Sequence, residues 1–131
     1  MKFVKYFSTV LMVLMIFLSS SQPVSAENWK NLQILNRTGK TIDELWFKPA
    51  CRSDWGGETL KGVGLLYLEN DKYATIRYNA NHNNWDMKII FIDGKEAVWI
   101  GDHVLGINGA YRITISKTDT GYSVGADSAN K

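Results

Sequence analysis

The sequence predicts an all-β protein, a single antiparallel β-sandwich of about 7-8 short strands after a cleaved signal peptide. Three observations lead to this prediction. After residue 27, apolar and polar residues alternate over short stretches, which is the pattern of half-buried strands. No long stretch there has apolar residues at helical spacing. Turn-forming residues separate the stretches at intervals of about eight to twelve residues, as in sandwiches and barrels.

The first two strands are predicted in NLQIL and IDELWFK, with the turn RTGK between them. Leu32 and Ile34 fall on one face of the first strand because successive side chains of a strand point to opposite sides. In the second strand, Leu45 and Phe47 share the apolar face. Trp46 falls on the polar face, where an indole could contact a ligand.

The middle of the chain predicts strands in LLYL and ATIRYNA, separated by the polar turn ENDK. In ATIRYNA the alternation is regular. Ile76 and Tyr78 are predicted to face the core, and Arg77 is predicted to face solvent.

The stretch WDMKIIFI begins with alternation and ends apolar on both faces. Trp85 to Ile92 is therefore predicted to be a central strand, buried on both faces near its end. Asp93-Gly94 then predicts a tight hairpin to KEAVWI, since Asp-Gly favours turns in which both central residues have positive φ. The last strands are predicted in YRITISK, with Tyr111 facing the core, and in GYSVGA at an edge.

Residues 1–26 have the features of a secretory signal peptide. Lys2 and Lys5 give a positive start, an apolar run occupies 10–18, and small residues end at Ala26. The run is shorter than the roughly 20 residues that span a bilayer. We expect an extracellular or periplasmic protein with no membrane anchor after cleavage. Residues 27–131 are then expected to form one domain.

Charge and cysteine content narrow the range of partners. The chain has 15 basic and 13 acidic residues. Removal of Lys2 and Lys5 with the signal peptide leaves 13 of each sign, so the mature net charge is zero. Nucleic-acid binding is therefore not expected, because no excess positive charge attracts phosphates. Cys51 is the only cysteine, so no internal disulfide can form and the fold must depend on its apolar core.

Four motifs occur in a fixed order: NRTGKTIDELWFKP, SDWGGETL, NNWDMKIIFIDGK and GDHVLG. This order resembles a group of small secreted bacterial β-sandwich domains without an assigned activity. Those domains carry an Asn-x-Thr-Gly start, a Trp-Gly-x-acid-x-Leu loop, a Trp-Asp strand and an Asp-Gly hairpin. The resemblance covers about residues 31–116 and implies a compact sandwich of bacterial origin, but no chemistry. Cys51 and Arg52 stand where the group has a serine-rich stretch.

Cys51 opens the stretch CRSDWGGETL, which combines a nucleophile with acids, a tryptophan and two glycines. The only imidazoles are those of His82 and His103. A thiol-dependent hydrolase would therefore use Cys51 with His82 or His103 as its base. No signature of a cysteine protease, a phosphate-binding loop or a zinc protease is present. A thiol more than about 6 Å from both imidazoles would exclude this alternative.

The acidic residues are spread over the predicted loops. Calcium takes oxygen ligands from loops and is the one metal that these acids would suit, although EF-hand spacing is absent. The two histidines lack further ligands at zinc spacing. The sequence therefore predicts no bound metal and no other cofactor.

A recognition surface is the third alternative. Trp46 on a polar strand face, Trp55 in a glycine-rich loop and the amides of NANHNNW could stack on and hydrogen-bond an uncharged ligand. The candidate ligand-binding residues are Trp46, Asp54, Trp55, Glu58, Asn81, His82 and Asn84. We expect Trp55 itself to be mostly buried against the sandwich, with Asp54 and Glu58 accepting hydrogen bonds from backbone amides.

The sequence thus predicts a non-enzymatic binding module for an unknown protein, glycan or small-molecule ligand. The hydrolase is one alternative, and a purely structural envelope protein is another. The structural protein would have no concave site lined by Trp46, Trp55 or the segment 79–84.

Overall fold

The computed structural model describes residues 28–100, 105–106 and 109–128, which form two packed β-sheets and one helical turn. The all-β sandwich predicted from the sequence is confirmed. The expected signal peptide and His103 lie outside the described residues. Within the described part of the chain, no helix is long and apolar enough to cross a membrane.

The first sheet has the strand order β3-β1-β7-β8, and in the second sheet β4 lies between β2 and β5 and also pairs with β6. The elements are β1 (Trp29–Arg37), β2 (Ile42–Pro49), α1 (Thr59–Gly62), β3 (Tyr73–Asn79), β4 (Asn84–Phe91), β5 (Glu96–Trp99), β6 (Leu105–Gly106), β7 (Ala110–Thr118) and β8 (Gly121–Ser128). β1 and β7 pair in parallel, whereas the other pairs are antiparallel. The expected purely antiparallel sandwich is therefore wrong at this pair. The chain between β1 and β7 includes the second sheet and is long enough for the crossover that parallel pairing requires.

The core lies between the sheets and contains most of the side chains that the alternation placed inward. Leu32, Ile34, Leu45, Ile76 and Tyr78 are buried there. The inward position predicted for Tyr111 is wrong, because its side chain is 46% exposed. A register shift between Ala110 and Arg112 is the reason: it buries Ala110 and reverses the alternation at the next residue.

β4 is the central strand of its sheet, as predicted. Trp85 and Ile89 are buried against the core. Burial on both faces near the end of the strand was a wrong expectation, since Ile90 is only half-buried and Ile92 is 69% exposed. The strand ends at Phe91, so Ile92 belongs to the turn that follows.

The predicted Asp-Gly hairpin connects β4 to β5, but its turn differs from the expected type. Gly94 has φ 87°, whereas Asp93 does not have positive φ. The Gly94 N–H donates to the Phe91 carbonyl at 2.8 Å. Asp93 instead uses its carboxylate, which accepts hydrogen bonds from the Lys40 ammonium at 2.9 Å and the Lys95 N–H at 3.0 Å. The bond from Lys40 lowers the pKa of the Asp93 carboxyl below its usual value.

The segment LLYL is not a strand, contrary to the prediction. It follows α1, and Leu68 alone forms an isolated bridge with Ile42. Leu60 in α1 and Leu68 are buried in the core, while Leu66 is 73% exposed. Leu60 and Leu68 pack as separate anchors of the loop between β2 and β3, so their spacing shows no strand periodicity.

Asn36 at the end of β1 is fully buried and joins three parts of the chain. Its Nδ2 donates to the carbonyls of Lys40 at 2.7 Å and Leu68 at 2.9 Å. Its Oδ1 accepts from the Thr38 N–H at 3.0 Å and the Thr38 hydroxyl at 2.6 Å. The backbone N–H of Asn36 donates to the Lys72 carbonyl. The side chain thus fixes the turn that carries the chain from one sheet to the other.

Asn36→Ala should lower the free energy of unfolding by about 2–4 kcal/mol, because buried backbone groups lose their hydrogen-bond partners. Asn70→Ala is the matched control. Asn70 is exposed, and its Oδ1 accepts from the Gly39 N–H in the same turn. Its loss should cost less than about 1 kcal/mol. Urea denaturation of the two variants provides the measurement, and equal midpoints would contradict the role of Asn36.

Candidate functional site

A cleft of about 250 Å³ lies where β1 and β4 begin and where β2 and β3 end. Its lining residues are Trp29, Phe47, Pro49, Arg52, Thr59, Ile76, Arg77, Asn79, His82 and Trp85. The strand pairings bring these distant residues together, since Trp29 pairs with Asn79 and Pro49 pairs with Trp85. The cleft therefore includes residues from both sheets.

The apolar part of the cleft consists of fixed aromatic rings. Phe47 stacks on Trp85 with ring centroids 4.6 Å apart and an interplanar angle of 11°. Tyr78 contacts Trp85 edge-on at 5.9 Å. The Trp85 Nε1–H donates to the His82 carbonyl at 2.8 Å, which holds the loop after β3 against the cleft. Trp29 contributes a ring that is 46% exposed, so the cleft offers both a buried and an accessible aromatic surface.

Two arginines, Arg52 and Arg77, supply the charge of the cleft. The Arg77 guanidinium lies over the Trp29 ring at 5.9 Å from its centroid. The backbone of Arg52 is fixed by two hydrogen bonds, one from its N–H to the Pro49 carbonyl at 3.0 Å and one from the Lys48 ammonium to its own carbonyl at 2.6 Å. Neither guanidinium forms an ion pair with any residue that the structure describes.

A thiol–imidazole pair occupies a second, neighbouring pocket of about 250 Å³. Cys51 Sγ lies 3.8 Å from His82 Nδ1, and the thiol is exposed. Asn81 and Asn84 also line this pocket. The separation is within the limit of about 6 Å set for the hydrolase alternative. His82 lines both the pocket and the cleft.

Trp46 and Trp55 lie in neither pocket. Both indoles contact the Lys88 ammonium, at 5.3 Å from the Trp46 centroid and 5.1 Å from the Trp55 centroid. Trp55 is half-buried, which is less burial than the mostly buried position expected from the sequence. Its ring also lies 5.1 Å from the ammonium of Lys48. Lys48 and Asp86 form a buried ion pair at 2.8 Å. The loop 51–58 thus places an aromatic ring over a charged pair.

Asp54 and Glu58 have different environments. Glu58 is the N-cap of α1, and its carboxylate accepts hydrogen bonds from the Leu60 and Lys61 N–H groups. The predicted bonding of Glu58 to backbone amides is therefore confirmed. Asp54 is exposed and forms no such bond with the described residues.

The described residues offer no arrangement that suggests a metal. No group of three or more His, Cys, Asp or Glu side chains among them could hold an ion. Four of their acids have other partners: Glu58 caps α1, Asp71 pairs with Arg37, Asp86 pairs with Lys48, and Asp93 pairs with Lys40. The calcium alternative therefore gains no support from these residues.

A larger cavity of about 370 Å³ lies beside the segment 64–69 and the start of β3. Leu66 and Tyr73 expose apolar surface there. The lining includes no histidine, cysteine or arginine, so it lacks the combination of groups that the cleft presents.

The residues selected from the sequence are thus not all brought together. Asn81, His82 and Asn84 lie together with Cys51, whereas Trp46 and Trp55 lie around Lys88, outside both pockets, and Glu58 caps α1. The sequence reasoning missed Trp29, Arg52 and Arg77. Arg77 left a signal, because the alternation of its strand placed it on the solvent face with no acid beside it.

Trp55→Ala should lower the free energy of unfolding by about 1–3 kcal/mol, because two cation–π contacts and the cover over the Lys48–Asp86 pair are lost. Trp55→Phe should keep part of this stability, since it retains an aromatic face. Thermal melts of the two variants provide the test. A Trp55→Ala melt that overlays that of the wild type would show that the ring contributes nothing.

The chain matches no protein-family model, and neither a curated protein nor a solved structure is significantly similar to it. The resemblance to the small secreted sandwich domains therefore stays an expectation. Any function must be argued from the chemistry of the cleft and of the thiol pair.

Proposed function

We propose that the protein is an exported, non-enzymatic binding module whose ligand occupies the aromatic cleft at the end of the sandwich. The observation that carries this proposal is the cleft itself. Fixed rings of Phe47 and Trp85 form its apolar surface, and polar groups of Asn79 and His82 are placed beside them. Concave sites with an apolar lining and a few convergent polar groups are typical of ligand binding.

The geometry supports binding by pre-organisation. Trp85 is held by stacking on Phe47 and by the hydrogen bond to the His82 carbonyl, so its ring need not be ordered when a ligand arrives. Binding to a site of this kind costs less conformational entropy, because the side chains of the protein are already ordered. The volume of about 250 Å³ suits one ring or one side chain of a ligand. A peptide side chain, a sugar or a small aromatic molecule would fit into this volume.

A purely structural envelope protein explains the cleft less well. That alternative predicted no concave site along the segment 79–84, and both Asn79 and His82 line the cleft. Trp29 also lines the cleft and is 46% exposed. An aromatic ring kept accessible next to a concave surface favours binding.

Benzamide is a suitable neutral probe. Its titration should shift the indole N–H resonance of Trp85 in ¹H–¹⁵N spectra, with a dissociation constant on the order of 1 mM for a ligand of this size. Trp29→Ala should weaken binding because the accessible ring is lost. Tyr111→Ala is the matched control: Trp29 and Tyr111 are both 46% exposed and both contact an arginine, but Tyr111 is not in the cleft. Absence of any shift at Trp85 would refute the proposal.

Thiol-dependent hydrolysis is the second candidate, and the 3.8 Å contact between Cys51 Sγ and His82 Nδ1 favours it. In this reaction Nδ1 takes the thiol proton as sulfur attacks an acyl carbon, and the proton passes to the leaving group. Water then cleaves the thioester and restores the thiol. The backbone of His82 is also held in place, since its N–H donates to the Asn79 carbonyl at 3.2 Å and its carbonyl accepts from the Trp85 indole at 2.8 Å.

If the protein only binds, p-nitrophenyl acetate should be hydrolysed at the same rate by the wild type and by Cys51→Ser. Benzamide binding should also be unchanged in Cys51→Ser, because Cys51 does not line the cleft. A burst of nitrophenol equal in amount to the protein, lost in both Cys51→Ser and His82→Gln, would favour the hydrolase instead.

A further inference from the structure

We infer that the natural ligand of the cleft is an anion, with a carboxylate or a similar oxyanion next to an apolar or aromatic group. This inference rests on the proposed function and adds the chemical class of the ligand. It comes from the two arginines, which contribute nothing to the apolar surface on which the proposed function depends.

The charge lining the cleft has one sign. Arg52 and Arg77 both line it, and none of the described residues in its lining carries a carboxylate. Two acids adjoin lining residues in the chain, and both have other partners: the Glu58 carboxylate, beside Thr59, is bound to α1 and to the Lys61 ammonium, and the buried Asp86, beside Trp85, pairs with Lys48. Asp54, two residues after Arg52, is exposed and does not line the cleft. Because the mature chain has no net charge, attraction of an anion must arise from this local concentration of positive charge.

The two guanidinium groups are available to a ligand. Each lacks an ion-pair partner among the described residues. Some exposed cations of the described chain are instead paired with an acid, as Arg37 is with Asp71 and Lys40 is with Asp93. Stacking on Trp29 restricts the Arg77 guanidinium, and two hydrogen bonds fix the backbone that carries Arg52. A guanidinium presents a planar pair of N–H donors that matches a carboxylate or phosphate.

The aromatic wall beside the arginines defines the rest of the ligand. Trp85 and Phe47 offer an apolar surface, and Trp29 lies under the Arg77 guanidinium. A ligand with a ring and a carboxylate could place the ring on this surface and the carboxylate against the arginines. A highly charged polyanion would leave the aromatic surface unused.

Benzoate and benzamide test this inference because they have nearly the same shape and differ in charge. In titrations followed by the Trp85 indole resonance at low ionic strength, benzoate should bind about tenfold more tightly than benzamide. Salt at about 0.5 M should reduce this preference, since the arginines are exposed and screened. Arg52→Gln and Arg77→Gln should each reduce the affinity for benzoate by about three- to tenfold and leave that for benzamide nearly unchanged.

Arg112→Gln is the matched control. Arg112 also contacts an aromatic ring, Tyr111, and lies in the same sheet as Arg77, but it is not in the cleft. It should keep the full preference for benzoate. Equal binding of the two probes would overturn the inference and leave the proposed function standing. A benzoate preference that survives both arginine substitutions would overturn it as well. If neither probe binds, the proposed function fails.

Discussion

The buried amide of Asn36 is the interaction on which the crossing between the two sheets depends. β1 belongs to the first sheet and β2 to the second, and only the short segment 38–41 joins them. A turn this close to the core has carbonyl groups that water cannot reach, and each would cost free energy if left without a donor. Asn36 donates to the carbonyls of Lys40 and Leu68, so it satisfies the turn and anchors the loop after α1 with one side chain. No apolar residue of the same size could replace it.

This constraint determines which end of the sandwich can carry a site. Asn36 lies near the end of β1, and Trp29 lies at its beginning. Because β1 has nine residues and spans the sheet, the two side chains lie at opposite ends of the sandwich. β3 begins beside the Asn36 turn and ends at the cleft, while β4 begins at the cleft and ends at the Asp93 turn. The end with Asn36 is closed by hydrogen bonds and by the Lys40–Asp93 ion pair. The opposite end carries Arg52, in the segment that follows β2, and His82, in the connection between β3 and β4. Loops supported by a rigid sheet commonly carry function.

The sequence was sufficient to predict most strands, because alternation depends on neighbouring residues and on one shared core. Leu32 and Ile76 were placed correctly for that reason. The errors have local causes that alternation does not encode: a bulge reverses Tyr111, and Leu68 anchors a loop instead of a strand. The cleft could not be predicted in the same way. Trp29, Arg52 and Arg77 are far apart in the chain and meet only through strand pairing and the fold of one loop. A pair of Cys51 with His82 or His103 could be predicted because the chain has one thiol and two imidazoles, and the structure places His82 beside the thiol.

The cleft and the thiol pocket share His82. This shared residue determines which variants can distinguish ligand binding from thiol-dependent hydrolysis. The imidazole contacts the Cys51 thiol at Nδ1 and also lines the cleft. A substitution of His82 would therefore affect both a ligand in the cleft and the reactivity of the Cys51 thiol. Arg77 lines only the cleft of the two sites, and Cys51 lines only the thiol pocket. Changes at these two positions act on one site each, so the role of His82 follows from comparing its variant with theirs. If His82→Gln resembles Arg77→Gln, the imidazole belongs to the binding site. If it resembles Cys51→Ser, it belongs to the thiol.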